Sequence, residues 1–345
     1  MTGSSLVLVA NSGDSTISTF RLRDGTLERL AVTPGVTGCS NFAVDAERDL
    51  VHASLKADGT GAQPGILTLS LDRRTGELTP LSRLDLPAGP MSYLTLTRRG
   101  TALLGAAYGA GYGFIAPVTD GAVGEPTARV DFANLHSVTT SADGRFAYFV
   151  SLGDDLIAQY AITDELALTP LAPATVAAPK GSGARHIVLN RAEDAAYVLT
   201  EYSGEVLHFS RHRDAGTLSP RSAASVVDPA AGLSHSRFGA DPRAEHLIWG
   251  ADLHFSSDTV LWASERSAST LAPIAVASDG SVSDARSFVV TEPQPRGFAV
   301  SPDGAWLIAA GERSAGVTLY AVAGDSLALR QRAETGRAAN WVRFA

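Results

Sequence analysis

Imidazole, guanidinium and carboxylate groups fall at matched positions of repeated stretches in this chain. Two such stretches read NLHSVTTSADGRFAYFVS and QPRGFAVSPDGAWLIAAG. Aligned on their Asp-Gly turn, the copies begin their first strand at Cys39, Ser92, His136, Arg185, Ala251, Arg296 and Asn340. Their next strand ends at Ser12, Leu55, Tyr108, Leu152, Glu201, Glu265 and Glu312. A purely structural repeat would carry small or apolar residues at both places. Ionised groups crowded together are costly unless they pair or bind something, so these positions are the candidate site.

Each candidate has a chemistry. The imidazole of His136, with an ordinary pKa of about 6.5, is suited to general base work. Arg185 and Arg296 can hold a carbonyl, a carboxylate or a phosphate through bidentate contacts, or form ion pairs between repeats with Glu201 and Glu312. Glu201 can orient the base, anchor Arg185, or act as an acid if burial raises its pKa. His186 follows Arg185 on a strand, and strand alternation turns one of the two away from the site. Arg266 beside Glu265, together with Asp252 and Lys56, completes the set at the rim. No G-x-S-x-G elbow, H-E-x-x-H pair or dinucleotide fingerprint is present. One cysteine excludes a thiolate cage, and three arginines oppose a bound cation. The expectation is an anion-directed site with no metal and no cofactor.

The elements that must position these groups are strands. Alternating, β-branched or aromatic segments such as HSVTTS, FAYFVS and LIAQYAI recur between Asp-Gly turns. A period of roughly 40–50 residues reads as a propeller. The predicted fold is all-β: a seven-bladed β-propeller of four-stranded antiparallel blades, one domain over residues 1–345. LVLVANSG matches a second strand and the terminal NWVRFA a first strand. The ring is therefore expected to close by pairing Asn340–Ala345 beside the N-terminal strands, which removes an exposed edge. Residues 229–248 break the spacing and read as a loop extension on one face. GAAYGAGYG at 105–113 lacks the Lys-Ser/Thr ending and following helix of a phosphate loop, and reads as a hairpin.

Bulk properties narrow the class. The chain has 345 residues, 45% apolar and 19% charged, which suits a well-buried globular protein. A net charge of −8 argues against a nucleic-acid or anionic-membrane surface. The single cysteine fits a reducing compartment, and MTGSSLVLVANSG lacks a basic leader. The expectation is a cytoplasmic monomer, since a closed ring hides its strand edges.

At these residues the chain resembles the bacterial lactonase family of seven-bladed propellers, the propeller-type 6-phosphogluconolactonases. The likeness runs from LVLVANSGDSTISTF to NWVRFA. It is most specific at NLHS (134–137), GSGARHIV (181–188), TEYSGEV (200–206), WGADLHF (249–255) and TEPQPRGFAVSPDGAWLIAAGERS (291–314). Ala184 stands where the family usually has Pro, and Asn190-Arg191 replaces its usual His/Asn-Pro. The resemblance implies hydrolysis of a sugar δ-lactone, 6-phospho-D-glucono-1,5-lactone in the first place, with a small anionic sugar lactone as partner. The fold also serves carboxy-cis,cis-muconate cycloisomerases, whose active sites resemble His136, Arg185, Glu201 and Arg266 here, with Arg296 adjoining. Two alternatives to the hydrolase therefore stand: a cycloisomerase or lyase, and a non-catalytic propeller that binds a sugar acid or serves as a scaffold.

Overall fold

In each of the seven sheets the second strand is buried along its whole length or along all but its first residue. Leu50–Leu55, Ala102–Ala107, Phe146–Ser151 and Ala195–Thr200 have every residue buried. The outermost strands, such as Leu78–Asp85 and Leu168–Ala177, are mostly exposed. That gradient follows from stacking sheets radially. An inner strand has a neighbouring sheet on both faces, whereas an outer strand meets water. The computed structural model describes residues 4–59 and 61–345. Residues 1–3, where the expected domain begins, lie outside the described residues.

The sheets are seven blades of antiparallel strands, in chain order around a ring. Seven apolar clusters lie between adjacent blades, one per interface. The cluster between the fourth and fifth blades joins Tyr148 and Val150 to Ile187 and Val198, for example. Strand Ala339–Phe344 pairs antiparallel with Ser5–Asn11, with Val9 opposite Val342, and so supplies the inner strand of the first blade. The closure expected from the two chain ends is the observed one. Trp341 Nε1 also donates to Phe42 O of the second blade at 2.9 Å, tying the closing strand across the interface. The Asp-Gly turns need a backbone that glycine supplies: Gly144 and Gly304 have φ of 69° and 72°.

Gly105–Gly113 is a hairpin, as expected, with Ala102–Ala107 paired to Tyr112–Thr119. Among the described residues only two short 3-10 turns interrupt the strands, Arg98–Gly100 and Pro229–Ala231. No helix of the described residues is long and apolar enough to cross a membrane. The 229–248 extension folds over one face of the ring. It is held by Ser236 N donating to Tyr202 O at 3.0 Å and by a bridge between Ser234 and Leu247.

Candidate active site at one mouth of the channel

A local irregularity aims the site. In the fourth blade the inner strand Leu135–Thr140 skips a pairing between Leu135 and Ser137, leaving His136 as the extra residue. The fifth blade does the same at Arg185, between Ala184 and His186. The sixth slips between Gly250 and Leu253, at Ala251 and Asp252. The closing strand slips at Asn340. A bulge opposes two residues to one and re-aims their side chains. It corrects the expectation that alternation would turn Arg185 or His186 away, because both join the same cluster.

Arg185, 1% exposed, donates through Nε to Glu201 Oε2 at 2.8 Å and through Nη1 to Ala251 O. Its Nη1 also lies 3.1 Å from His186 Nε2. A guanidinium only donates, so His186 Nε2 must accept. The proton of His186 therefore sits on Nδ1, which donates to Asp252 Oδ1 at 2.8 Å. Burial, and then the charge of Arg185, pushes the His186 pKa down to about 3. The ring is neutral, with both nitrogens engaged.

Asp252 is buried beneath it and accepts from His254 Nε2 at 3.1 Å and from Leu253 N at 3.0 Å. Burial opposes its charge, but His254 and the bonds from His186 and His254 outweigh that and hold its pKa well below the usual carboxylate range.

Glu201 is the junction. Its Oε2 also receives Arg266 Nη2 at 2.8 Å, and its Oε1 receives Trp249 Nε1 at 3.3 Å. The pair Arg185–Glu201 lies within the fifth blade and not between repeats, the arrangement offered as an alternative to anion binding; Arg266 makes the crossing to the sixth. Burial would raise the Glu201 pKa, but Arg266 and Arg185 outweigh it, and the net direction is down. Glu201 is a carboxylate at neutral pH, contrary to the raised pKa an acid role requires. Arg266 is further fixed by Gly250 O at 3.1 Å and by its stack on Trp249, 3.8 Å from the ring centroid. Burial, above all, lowers its pKa, while Arg185 is pushed down to about 9 by burial and then by Arg266. Both remain charged at neutral pH.

Arg296, with 29% of its side chain exposed, is the most open of the three and donates to Glu312 Oε1 at 2.9 Å, within the seventh blade. Burial works against its charge, yet Glu312 prevails and its pKa is raised. Glu312 is held at about 2: burial pushes up, and Arg296 and then Arg266 pull further down.

His136 stands apart from these pairs. It is 4% exposed, its ring centroid 5.1 Å from that of His186 and 5.6 Å from that of Tyr108, and its Nδ1 has no hydrogen-bond partner. Burial, then the charge of Arg185, holds its pKa well below the ordinary value, so at neutral pH it is a free base. The unspent donors nearby are Arg185 Nη2, Arg266 Nη1 and Arg296 Nη2, none of which makes a hydrogen bond within the described residues. Glu265 is spent on the backbone amides of Trp249, Ser267 and Ala268.

His136, Arg185, His186, Glu201, Asp252, Arg266 and Arg296 thus fall in one connected cluster on the fourth to seventh blades, whereas Lys56 follows strand Leu50–Leu55 of the second blade and is not part of it. Sequence reasoning missed Tyr202 and Trp249, and it placed Tyr108 at the mouth without a role. Tyr108 and Tyr202 interact through their hydroxyls, and burial, followed by the charge of Glu201, raises both pKa values, so both are neutral donors. Their signal was adjacency, since Tyr202 follows Glu201 in TEYSGEV and Trp249 opens WGADLHF.

The fold and cluster define a seven-bladed propeller with a buried free imidazole and unspent guanidinium donors at one mouth of its channel. The chain belongs to the lactonase family: the family model described as "Lactonase, 7-bladed beta-propeller" matches residues 7–344. With the family comes its enzyme class, a lactone-hydrolysing esterase. The chain is similar to the 6-phosphogluconolactonase of Sodalis glossinidius (strain morsitans), 30% identical over 289 residues, 82% of this chain and 83% of that one. It is 26% identical to that of Cronobacter sakazakii over 341 residues, 97% of each. Its fold matches that of the periplasmic gluconolactonase of Pseudomonas aeruginosa with a TM-score of 0.86 at 22% identity, covering 99% of each chain.

Proposed function

We propose that this chain opens an anionic sugar δ-lactone, with 6-phospho-D-glucono-1,5-lactone as the principal substrate, to its hydroxy acid. The observation that carries the reading is the buried His136, neither of whose ring nitrogens is hydrogen-bonded within the described residues, surrounded by guanidiniums that still have N–H groups to give.

Lactone hydrolysis needs an activated water and a place for the developing oxyanion. In the reading proposed, His136 takes a proton from water through Nε2, its unbonded and less buried ring nitrogen, as the water oxygen attacks the lactone carbonyl carbon. The carbonyl oxygen, now an oxyanion, is received by the free N–H groups of Arg185 and Arg266. Collapse breaks the bond to the ring oxygen, which takes the proton back from His136. The product acid then ionises and releases one proton.

Three guanidiniums disfavour the imidazolium formed midway, and the negative charge on substrate and oxyanion offsets them. An anionic substrate therefore raises the basicity of His136 as it binds. Glu201 holds Arg185 and Arg266 in place, while Asp252, through His186, fixes the face of Arg185; these two are positioning residues. No step in this scheme calls on a metal or an organic cofactor.

The test uses purified protein and freshly generated 6-phosphogluconolactone, with acid release followed against spontaneous opening. Acceleration supports the reading. Loss of ultraviolet absorbance from a carboxymuconate, without acid release from the lactone, would transfer the same groups to a cycloisomerase. Binding of gluconate-type acids with neither reaction would leave a sugar-acid-binding propeller.

A further inference from the structure

The 229–248 extension does more than lengthen a loop. Between it and the seventh blade lies a second cleft of about 470 Å³, lined in part by Arg243, His246, Arg266, Ser267, Gln294 and Arg313. Three guanidiniums and an imidazole face it, and no carboxylate does. In a chain of net charge −8 that composition is unusual. Four other clefts on the molecule each carry at least one carboxylate: Asp194, Asp143, Asp45 and Asp155 are examples, one from each.

Two of the three guanidiniums are also free of ion pairs. Arg243 and Arg313 are exposed, and among the described residues neither forms an ion pair. Of the loop acids flanking Arg243, Asp241 is turned to the backbone amides of Arg243 and Ala244, and Glu245 is paired with Arg237. His246 Nε2 donates to Ala231 O at 2.9 Å, which leaves Nδ1 without a bond.

Arg266 joins this cleft to the catalytic cluster. Its Nη2 is held by Glu201 and Gly250 O and its Nε by Trp249 O, while Nη1 makes no hydrogen bond. An anion in the cleft would share a guanidinium with the groups that receive the lactone carbonyl. A phosphate suits the site better than a second carboxylate, because it offers oxygens on several faces to converging guanidiniums.

We infer that this cleft is a distal phosphate subsite, in which Arg243 and Arg313, with Arg266 at its floor, bind the phosphate of a phosphorylated sugar lactone and set the preference for it over the unphosphorylated one. The inference rests on the lactonase reading for its substrate, but its binding chemistry can be measured apart from turnover. The probes are 6-phosphogluconate and gluconate, titrated by calorimetry into the full-length protein and into R243A/R313A.

The wild type should bind 6-phosphogluconate at least about tenfold more tightly than gluconate, and the double variant should lose most of that preference. Both substitutions are on exposed side chains, so a circular dichroism spectrum and melting midpoint matching the wild type establish that the variant is folded. In turnover, the ratio of kcat/KM for the phosphorylated lactone to that for glucono-1,5-lactone should fall by a similar factor. Equal affinity of the wild type for the two acids, or an undiminished preference in the variant, overturns the inference. Failure of the lactonase reading shows separately, as no acceleration of either lactone, and leaves the comparison of the two acids intact.

Discussion

Replacing Glu201 by Gln keeps the side-chain shape and removes one charge from the middle of the cluster. In the native protein a single oxygen, Oε2, receives Arg185 Nε and Arg266 Nη2, both at 2.8 Å, from side chains only 1% and 3% exposed. Breaking a buried ion pair by deleting one partner costs about 3–5 kcal/mol. Sharing of the carboxylate by two guanidiniums pushes the cost up. The remaining amide oxygen, and the hold of Ala251 O and His186 on Arg185, pull it down. We expect a loss of about 3 kcal/mol for E201Q, at the low end of the range for a broken buried pair. Urea unfolding reads it as a lower midpoint with an unchanged slope. The same substitution removes a negative charge from the surroundings of His136, so an NMR titration should place that imidazole lower still. A midpoint within about 0.5 kcal/mol of the native protein, the range of ordinary surface substitutions, would refute the reasoning that Glu201 is the carboxylate holding the arginines.

Acid should weaken the fold before it protonates most carboxylates. His52, held at about 4 by burial, and His136 and His186 are all neutral when folded but titrate at about 6.5 when unfolded. Between those values the unfolded chain binds more protons, so stability falls as pH drops below about 6.5, by up to about 1.4 kcal/mol per pH unit for each imidazole. Melting at pH 7.5 and 5.5 checks this, and an equal midpoint at the two would contradict it. Deleting Ala339–Ala345 should expose the paired edge of Ser5–Asn11 and uncover Trp341's contacts with the second blade. Light scattering should then show association, and melting should show a lower midpoint; a monodisperse variant with native stability would argue against ring closure by this strand.

The fold was legible because its signals are local and repeated. Asp-Gly turns, period-two strands and the complementary ends Leu6–Asn11 and Asn340–Ala345 each state their pairing in a few residues. Register also brought His136, Arg185, Glu201 and Arg296 to one mouth, since equivalent positions of a ring lie side by side. The bulges were not legible. One unpaired residue at Arg185 reverses the expectation for His186, and nothing in ARHIVL marks it. Protonation was equally hidden: burial alone would raise Glu201, and the approach of Arg266 from the next blade, with Arg185 beside it, reverses that direction. Tyr202 and Trp249 escaped because an uncharged aromatic beside an ionised residue reads as packing until distances are known.

The most direct test of the central claim is the turnover of 6-phosphoglucono-1,5-lactone by H136Q, measured as acid release above the spontaneous rate in parallel with the native protein. Among the described residues His136 is the one imidazole of the cluster with no hydrogen bond at either ring nitrogen, and loss of a general base lowers rates by about 10²–10⁴-fold. The account predicts a fall in kcat of that size with the fold intact by circular dichroism. A folded H136Q that opens the lactone as fast as the native protein would contradict it.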